Sequence, residues 1–423
     1  MQKGHVRMKQ FANENFPEDI QRIADRMNID INAVPGYTVP PLPIPDGATA
    51  MDFVKTIRPE LVKKCADLMY GELPPRCEEI LFKKTDESDA FDGLGIRREI
   101  DIVCRNKGRE AVIHVLLYLP KKRKGRAPVF VGLNFKGNHS VSNDPNVHIH
   151  PFERYPETKF ARETDRRVGE EGRGIDAGRN SFEKVLEAGF ASATACYMDI
   201  CADRADMIGD GIYPLFYTKE QWNSPKRDFG AISAWAWGIS RIIDCLETQP
   251  EIDMRRVVVH GHSRLGKTSL WAGANDRRIS IVASNGSGTS GAKLCHRYYG
   301  ENFEWVKLWN PHWLRASFYD YAGRDAEFPI DQHFLIAACA PRPVFISGGT
   351  MDIYADTIGE YEACREASPA WRLFGGKGIG EAAYPEAGNA VGDEIGFYMR
   401  EGDHQMTPDV WDALIAFVKK HLN

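Results

Sequence analysis

Ser263 stands in the run Gly261-His262-Ser263-Arg264-Leu265-Gly266-Lys267-Thr268, whose residue types are those of an acyl-transfer nucleophile. Three valines, 257–259, precede it and predict a buried parallel strand, being too few for a helix. Helix formers follow over 267–274, with Leu270 and Trp271 able to face a core. Strand, tight turn and helix would leave the serine hydroxyl exposed at the C-terminal edge of a sheet. The Arg264 N–H would then lie at a helix N-terminus, where an oxyanion can be held. The general pattern is G-x-S-x-G, and here the second glycine comes one residue late. Two other readings stay open at this point. One is an ordinary glycine-rich strand-to-helix turn. The other is a phosphate loop, because Gly266-Lys267-Thr268 ends like one, although no convincing magnesium-site context accompanies it.

A serine at its free pKa is a poor nucleophile and needs a histidine base and an acid to orient that base. His312, His333 and His404 all follow Ser263. His404 lies in a polar loop just before the last helical stretch and is the favoured base, whereas His333, at a helix start, reads as a cap or core residue. Asp352 follows the apolar run 343–347 through Gly348-Gly349-Thr350, which puts a carboxylate on a strand-end loop. Asp356 reads as a helix cap. A turn residue in that place would look the same, so Asp352 is the favoured acid without being the only reading.

These groups must be carried by a sheet. Alternating patterns over 94–105 and 111–119 predict an antiparallel pair, and the apolar run 128–135 a central strand with Lys136 to His139 at its C-terminal end. Phe53 to Tyr70, Phe182 to Ala188 and Phe229 to Leu246 predict helices, the last with Trp235 and Trp237 in the core, and Phe190 to Cys196 a strand. After Ser263 the alternation continues through 279–283, 334–339, 343–347, 357–367, 370–374 and 408–422. Repeated strand–helix units predict an α/β fold, a three-layer αβα sandwich around a mostly parallel sheet. The expected organisation is an N-terminal extension, partly loop-like, over 1–50 and a single catalytic domain over 51–423. Insertions are expected near 140–178 and 199–225, the second bringing Tyr213, Phe216, Tyr217 and Trp222 to a pocket wall.

Composition narrows the function classes. A 43% apolar share supports a sizeable core, and a net charge of −5 with a pI near 6.2 gives no global pull toward nucleic acid or anionic membrane. Nine cysteines without C-x-x-C pairs imply neither a zinc site nor a disulfide framework. No apolar run reaches membrane-spanning length and no secretory signal is read, so a cytoplasmic protein is expected.

The elbow run, with Gly288 to Ala292, Arg297 to Glu301, Pro329 to His333, Ala340 to Val344 and Gly402-Asp403-His404, resembles the glucuronoyl esterases of carbohydrate esterase family fifteen, especially their bacterial branch. Arg58 to Leu61, Tyr70-Gly71 and Gly132 to His139 fit as well, so the resemblance covers roughly 50–423. It implies an α/β-hydrolase that cleaves esters of glucuronic acid or its 4-O-methyl ether, as between glucuronoxylan and lignin alcohols. The triad would be Ser263, Asp352 and His404, with Arg264 supporting the oxyanion, Lys267 and Glu301 binding sugar hydroxyls and Tyr354 at the sugar wall. Neither metal nor organic cofactor is implied, and the partner is a small carbohydrate ester met by a monomer. Two departures stand out. Many members carry a triad glutamate just before an S-G-x-G turn, where this chain reads Asn285-Gly286-Ser287-Gly288, and tryptophan where this chain has Tyr354. The alternatives are an acetyl xylan esterase or general carboxylesterase on the same triad, and a catalytically silent carbohydrate-binding relative.

Overall fold

The computed structural model describes residues 22–23, 26–152, 167–222, 224 and 228–422. A helix of eight residues, α1 (Arg58–Cys65), is flanked by wider π turns at Phe53–Ile57 and Ala66–Tyr70. Its buried stripe is Phe53, Ile57, Leu61, Cys65 and Met69. An apolar residue at every fourth position overshoots a 3.6-residue turn, and the wider turns take up the drift, so the whole stripe stays on the core.

Ten strands form one sheet: β1 (Glu79–Ala90), β2 (Gly95–Asn106), β3 (Arg109–Pro120), β4 (Ala127–Asn134), β5 (Ala191–Cys196), β6 (Ile252–His262), β7 (Ile279–Asn285), β8 (Val344–Gly349), β9 (Ala390–Gly392) and β10 (Ile395–Arg400). Their order is β1-β2-β3-β5-β4-β6-β7-β8-β10-β9. The run from β5 to β10 is parallel, and β1 to β3 at one end and β9 at the other are antiparallel. Side chains alternate across it. Val257 and Val259 point into the larger core with α3 (Ala231–Leu246) and α4 (Arg264–Asn275), while α2 (Phe182–Glu187) lies on the other side. There Val258 meets Phe130, Ile281 and Phe345 beneath the last helix, which carries Val410, Trp411, Leu414 and Val418. Each fully buried valine of this set contributes about 1.5–3 kcal/mol. Three layers follow from that two-sided burial, the architecture expected from the repeated strand–helix units.

Three strands escape the sequence pattern. β1 is an edge strand rich in Lys, Asp and Glu, exposed along much of its length and held by its ladder to β2. β9 is only three residues long. β10 is buried throughout yet too short to show a period, and it takes the place beside β8. The stretch after the 357–367 helix is instead a helical turn, Pro369–Arg372. Tyr213, Phe216, Tyr217 and Trp222 pack against the main core; Tyr213 is wholly buried and its hydroxyl donates to Phe229 O at 3.1 Å. The described part of the N-terminal extension lies along the body, with Asn28 Nδ2 donating to Tyr298 O at 3.0 Å and Pro40 O 2.9 Å from His333 Nε2. Residues 1–21 and 153–166, in the extension and the first insertion, lie outside the described residues. No described helix is long and apolar enough to cross a membrane.

Candidate active site

β6 ends and α4 begins at Ser263, which adopts φ 58°, ψ −129°. A non-glycine residue held at such angles stores about 1–3 kcal/mol of backbone strain, which the surroundings must offset. They do so with hydrogen bonds: the Ser263 N–H donates to Asn285 O at 2.8 Å, and Ser263 O accepts from the Gly266 and Lys267 N–H groups at 2.8 and 3.1 Å. A Cβ on Gly261 would lie 2.0 Å from Leu265 O, so only glycine lets the helix fold back over the strand. The displaced second glycine has its own cause. A Cβ at 266 would come within 2.8 Å of Ser284 Oγ and 3.1 Å of Ser287 Cβ at the end of β7, so the close approach falls on that residue. Ser263 itself is half-buried between buried neighbours.

Two loops bring the candidate base and acid together. The loops after β8 and β10 are zipped by Thr350 N–H to Arg400 O at 2.9 Å and Met351 N–H to Gly402 O at 2.8 Å. They set His404 Nδ1 2.6 Å from Asp352 Oδ2, while Asp352 Oδ1 accepts the Ala355 N–H at 3.2 Å. His262, next to Ser263, places its ring centroid 4.5 Å from that of His404, so the loop histidine sits over the elbow. Burial pushes His262 well below its ordinary range, with the charges of His404 and Arg179 adding to it, and its Nδ1 lies 2.6 Å from Asn285 Oδ1. A neutral His262 adds no positive charge of its own beside the His404 ring. Gly286, at φ 52°, closes the back of the pair: a Cβ there would lie 3.1 Å from Asp352 Oδ2 and 3.3 Å from His404 Nδ1. The position where the resemblance leads one to look for a glutamate thus lies against the Asp352–His404 pair and carries no side chain.

Arg264 and Lys267 open α4. The Arg264 guanidinium donates through Nη1 to Asp203 and lies 5.7 Å from the Phe135 ring and 5.1 Å from the Trp313 ring. Burial works against ionisation of Asp203, but Arg264, His312 and the Trp313 N–H outweigh it, and the carboxyl is held well below the usual carboxylate range. His312 Nε2 and Trp313 Nε1 approach the other Asp203 oxygen at 2.8 and 2.6 Å. Lys267 is wholly buried; its ammonium donates to Ser287 O, lies 3.7 Å from Glu301 Oε2 and faces the Trp313 ring at 5.4 Å. Burial lowers its pKa. That environment answers the phosphate-loop reading, whose lysine must reach out to a polyphosphate. Tyr354 stacks on Trp305 at 6.3 Å, and its carbonyl accepts the Glu301 N–H at 3.1 Å.

The remaining candidates lie elsewhere. Asp356 caps α5 (Thr357–Ala367) by accepting the Gly359 N–H at 3.2 Å and pairs with Arg297 at 2.9 Å. His333 is buried against Pro40, and His312 serves Asp203. Sequence reasoning missed Asp203, Trp313, His262 and Glu360. Asp203 lies in an irregular charged stretch with no pattern to mark it. Glu360 is buried on α5, its Oε1 accepting from Ser287 Oγ at 3.2 Å and the Gly288 N–H at 3.0 Å, and burial pushes its carboxyl up to about 8.

A strained serine between a parallel strand and a helix, in a mostly parallel sheet covered on both faces, defines the α/β-hydrolase fold. The family model for fungal glucuronyl esterases matches residues 175–375. A carbohydrate esterase from an unknown prokaryotic organism is 38% identical over 93% of this chain and 92% of its own. Among solved structures, a promiscuous family-fifteen esterase from a marine bacterial metagenome is similar with TM-score 0.84 and 37% identity, over 94% of this chain and 100% of the other. A glucuronoyl esterase from Solibacter usitatus gives TM-score 0.85 and 35% identity over 93% and 100%. The chain belongs to carbohydrate esterase family fifteen, the glucuronoyl esterases, and is a carboxylic ester hydrolase.

Proposed function

We propose that this esterase hydrolyses esters of glucuronic acid or its 4-O-methyl ether, as a monomer acting on small carbohydrate esters. Ser263 Oγ attacks the uronate carbonyl while His404 takes its proton; Asp352 holds the imidazole in the required tautomer and stabilises its cation. The Arg264 N–H and guanidinium stabilise the oxyanion, and water then hydrolyses the acyl-serine. Lys267 and Glu301 bind the sugar hydroxyls, with Tyr354 at the wall. The observation that carries the substrate class is the Lys267–Glu301 pair, 3.7 Å apart on and beside the helix that starts at the nucleophile. Desolvating an ammonium and a carboxylate is costly unless polar groups meet them, and a generic ester pocket offers no return for it. Curated relatives named 4-O-methyl-glucuronoyl methylesterase, such as that of Hypocrea jecorina at 35% identity over 46% of this chain, support the same substrate.

The similarity to an esterase described as promiscuous favours one second reading, a broader carboxylesterase on the same triad. Side-by-side kcat/KM values for benzyl glucuronate and an acetylated xyloside separate the two: a preference for the acetyl ester overturns the glucuronate assignment. Ser263→Ala is expected to lower turnover by about 10³-fold or more with the fold intact and to abolish labelling by a fluorophosphonate. A wild-type chain that takes no label would instead be a silent binding relative.

A further inference from the structure

Lys267 and Glu301 are both set against one short segment, Ser287 to Lys293. Ser287 O accepts from the Lys267 ammonium, and a Cβ on Gly288 would lie 3.5 Å from Glu301 Oε2. Farther along, Thr289 Oγ1 and Lys293 Nζ donate to Glu301 O at 2.5 and 2.8 Å. The segment is folded on itself, with the Ala292 N–H donating to Ser287 Oγ at 2.9 Å and the Gly291 N–H to Gly288 O at 2.9 Å. Its first turn is held from α5 by Glu360, whose side chain is wholly buried. Glu360 Oε1 accepts from both the Ser287 hydroxyl, at 3.2 Å, and the Gly288 N–H, at 3.0 Å, whereas Oε2 has no hydrogen-bond partner. Among the described residues Glu360 bonds neither to His404 nor to Asp352, so it is not a second acid for the imidazole. A buried carboxyl is costly, and the one oxygen it has bonded is spent on this turn.

We infer that Glu360 is a positioning residue for substrate specificity: by holding the Ser287–Gly288 turn it fixes the carbonyl that aims the Lys267 ammonium and the backbone against which the Glu301 carboxylate rests. The inference rests on the sugar-binding roles proposed for Lys267 and Glu301. The reacting side of the site is held by other bonds. The Ser263 N–H donates to Asn285 O at 2.8 Å and the Gly286 N–H to Ser347 O at 2.7 Å, and neither bond involves Glu360. Without the Glu360 acceptor, the buried Ser287 hydroxyl and Gly288 N–H lose their shared partner, and the turn must shift to find another. That shift reaches Lys267 and Glu301 before it reaches the nucleophile.

Glu360→Met keeps the length of the side chain and removes the acceptor, whereas Glu360→Gln keeps the acceptor. Both full-length variants and the wild type are assayed on benzyl glucuronate and phenyl acetate. Glu360→Met is expected to lower the glucuronate-to-acetate ratio of kcat/KM by about 5- to 50-fold, chiefly through a higher KM for the glucuronate, and Glu360→Gln to keep the ratio within about 2-fold of wild type. A merely structural residue would depress both activities alike through loss of folded protein and leave the ratio where it was. Should Glu360→Met not fold, Ser287→Ala, which removes one of the donors and leaves the Gly288 bond, carries the same test with an expected fall of about 2- to 10-fold. An unchanged ratio overturns the inference, and so does a fall that Glu360→Gln shares with Glu360→Met. Lys267→Ala on the same two substrates tells this failure from that of the reading beneath it. If Lys267→Ala is selective for the glucuronate and Glu360→Met is not, only the role of Glu360 falls; if Lys267→Ala lowers both alike, the sugar-binding reading falls and this inference with it.

Discussion

His404 Nδ1 and Asp352 Oδ2 are 2.6 Å apart although 52 residues separate them in the chain. Neighbouring parallel strands, β8 and β10, deliver the two loops side by side, and Asp356, four residues from Asp352, caps a helix instead. Asp352→Asn is therefore expected to lower kcat on a glucuronate ester by about 10²- to 10⁴-fold with little change in melting temperature. Asp356→Asn leaves the buried Arg297 charge only its longer pairing with Glu362, at 3.5 Å, and should lower thermal stability more than kcat. Kinetics and melting of both variants check the assignment; a crippled Asp356→Asn beside a mild Asp352→Asn would reverse it.

Lys267 discriminates between a sugar-reading site and a plain ester pocket. Truncating one partner of a buried hydrogen-bonded pair costs about 1–3 kcal/mol. Lys267→Ala should then lower kcat/KM for a glucuronate ester by roughly 5- to 150-fold and leave aryl acetate hydrolysis nearly unchanged. Equal losses on both substrates would remove Lys267 from sugar binding.

Asp203 predicts the opposite pattern. It fixes the Arg264 guanidinium, so if Arg264 serves the oxyanion common to every ester, as proposed, Asp203→Asn should lower kcat on glucuronate and acetate esters alike, on the order of 10- to 10³-fold. Circular dichroism confirms that the variant is folded. A loss confined to the sugar substrate would move Arg264 from the oxyanion to the sugar.

Glu360 makes stability depend on pH. Burial raises its carboxyl from the ordinary 4.5 to about 8, with Asp352 adding to the shift. Between those values the folded chain holds a proton that the unfolded chain has lost, so this group's contribution to stability falls as pH rises across the window and levels off above it. The Glu360→Gln amide keeps the acceptor for Gly288 and Ser287 and has no proton to lose. Urea unfolding at pH 5 and pH 8 should show the variant gaining on the wild type with rising pH, by on the order of 1 kcal/mol per pH unit at most. A difference independent of pH would place the Glu360 ionisation outside this window.

Local sequence determined what depends on neighbours along the chain. Val257 to Val259, the glycines around Ser263 and the helix formers after it specify a strand, a turn and a helix, because those preferences act within a few residues. The same holds for the strands over 94–105, 111–119 and 128–135, and for Asp352 and His404 as loop residues at the ends of apolar segments. The tertiary structure decided what depends on residues far apart. β10 becomes a strand because β8 offers it a ladder, and β1 because β2 does, although neither sequence alternates clearly. Asp203 reaches Arg264 across 61 positions, Glu360 reaches the Ser287–Gly288 turn across 72 or more, and His150 stacks on His114 through an insertion. Burial alone turns these charged residues from surface decoration into electrostatic partners, and burial is a property of the packed sheet rather than of any stretch of the chain.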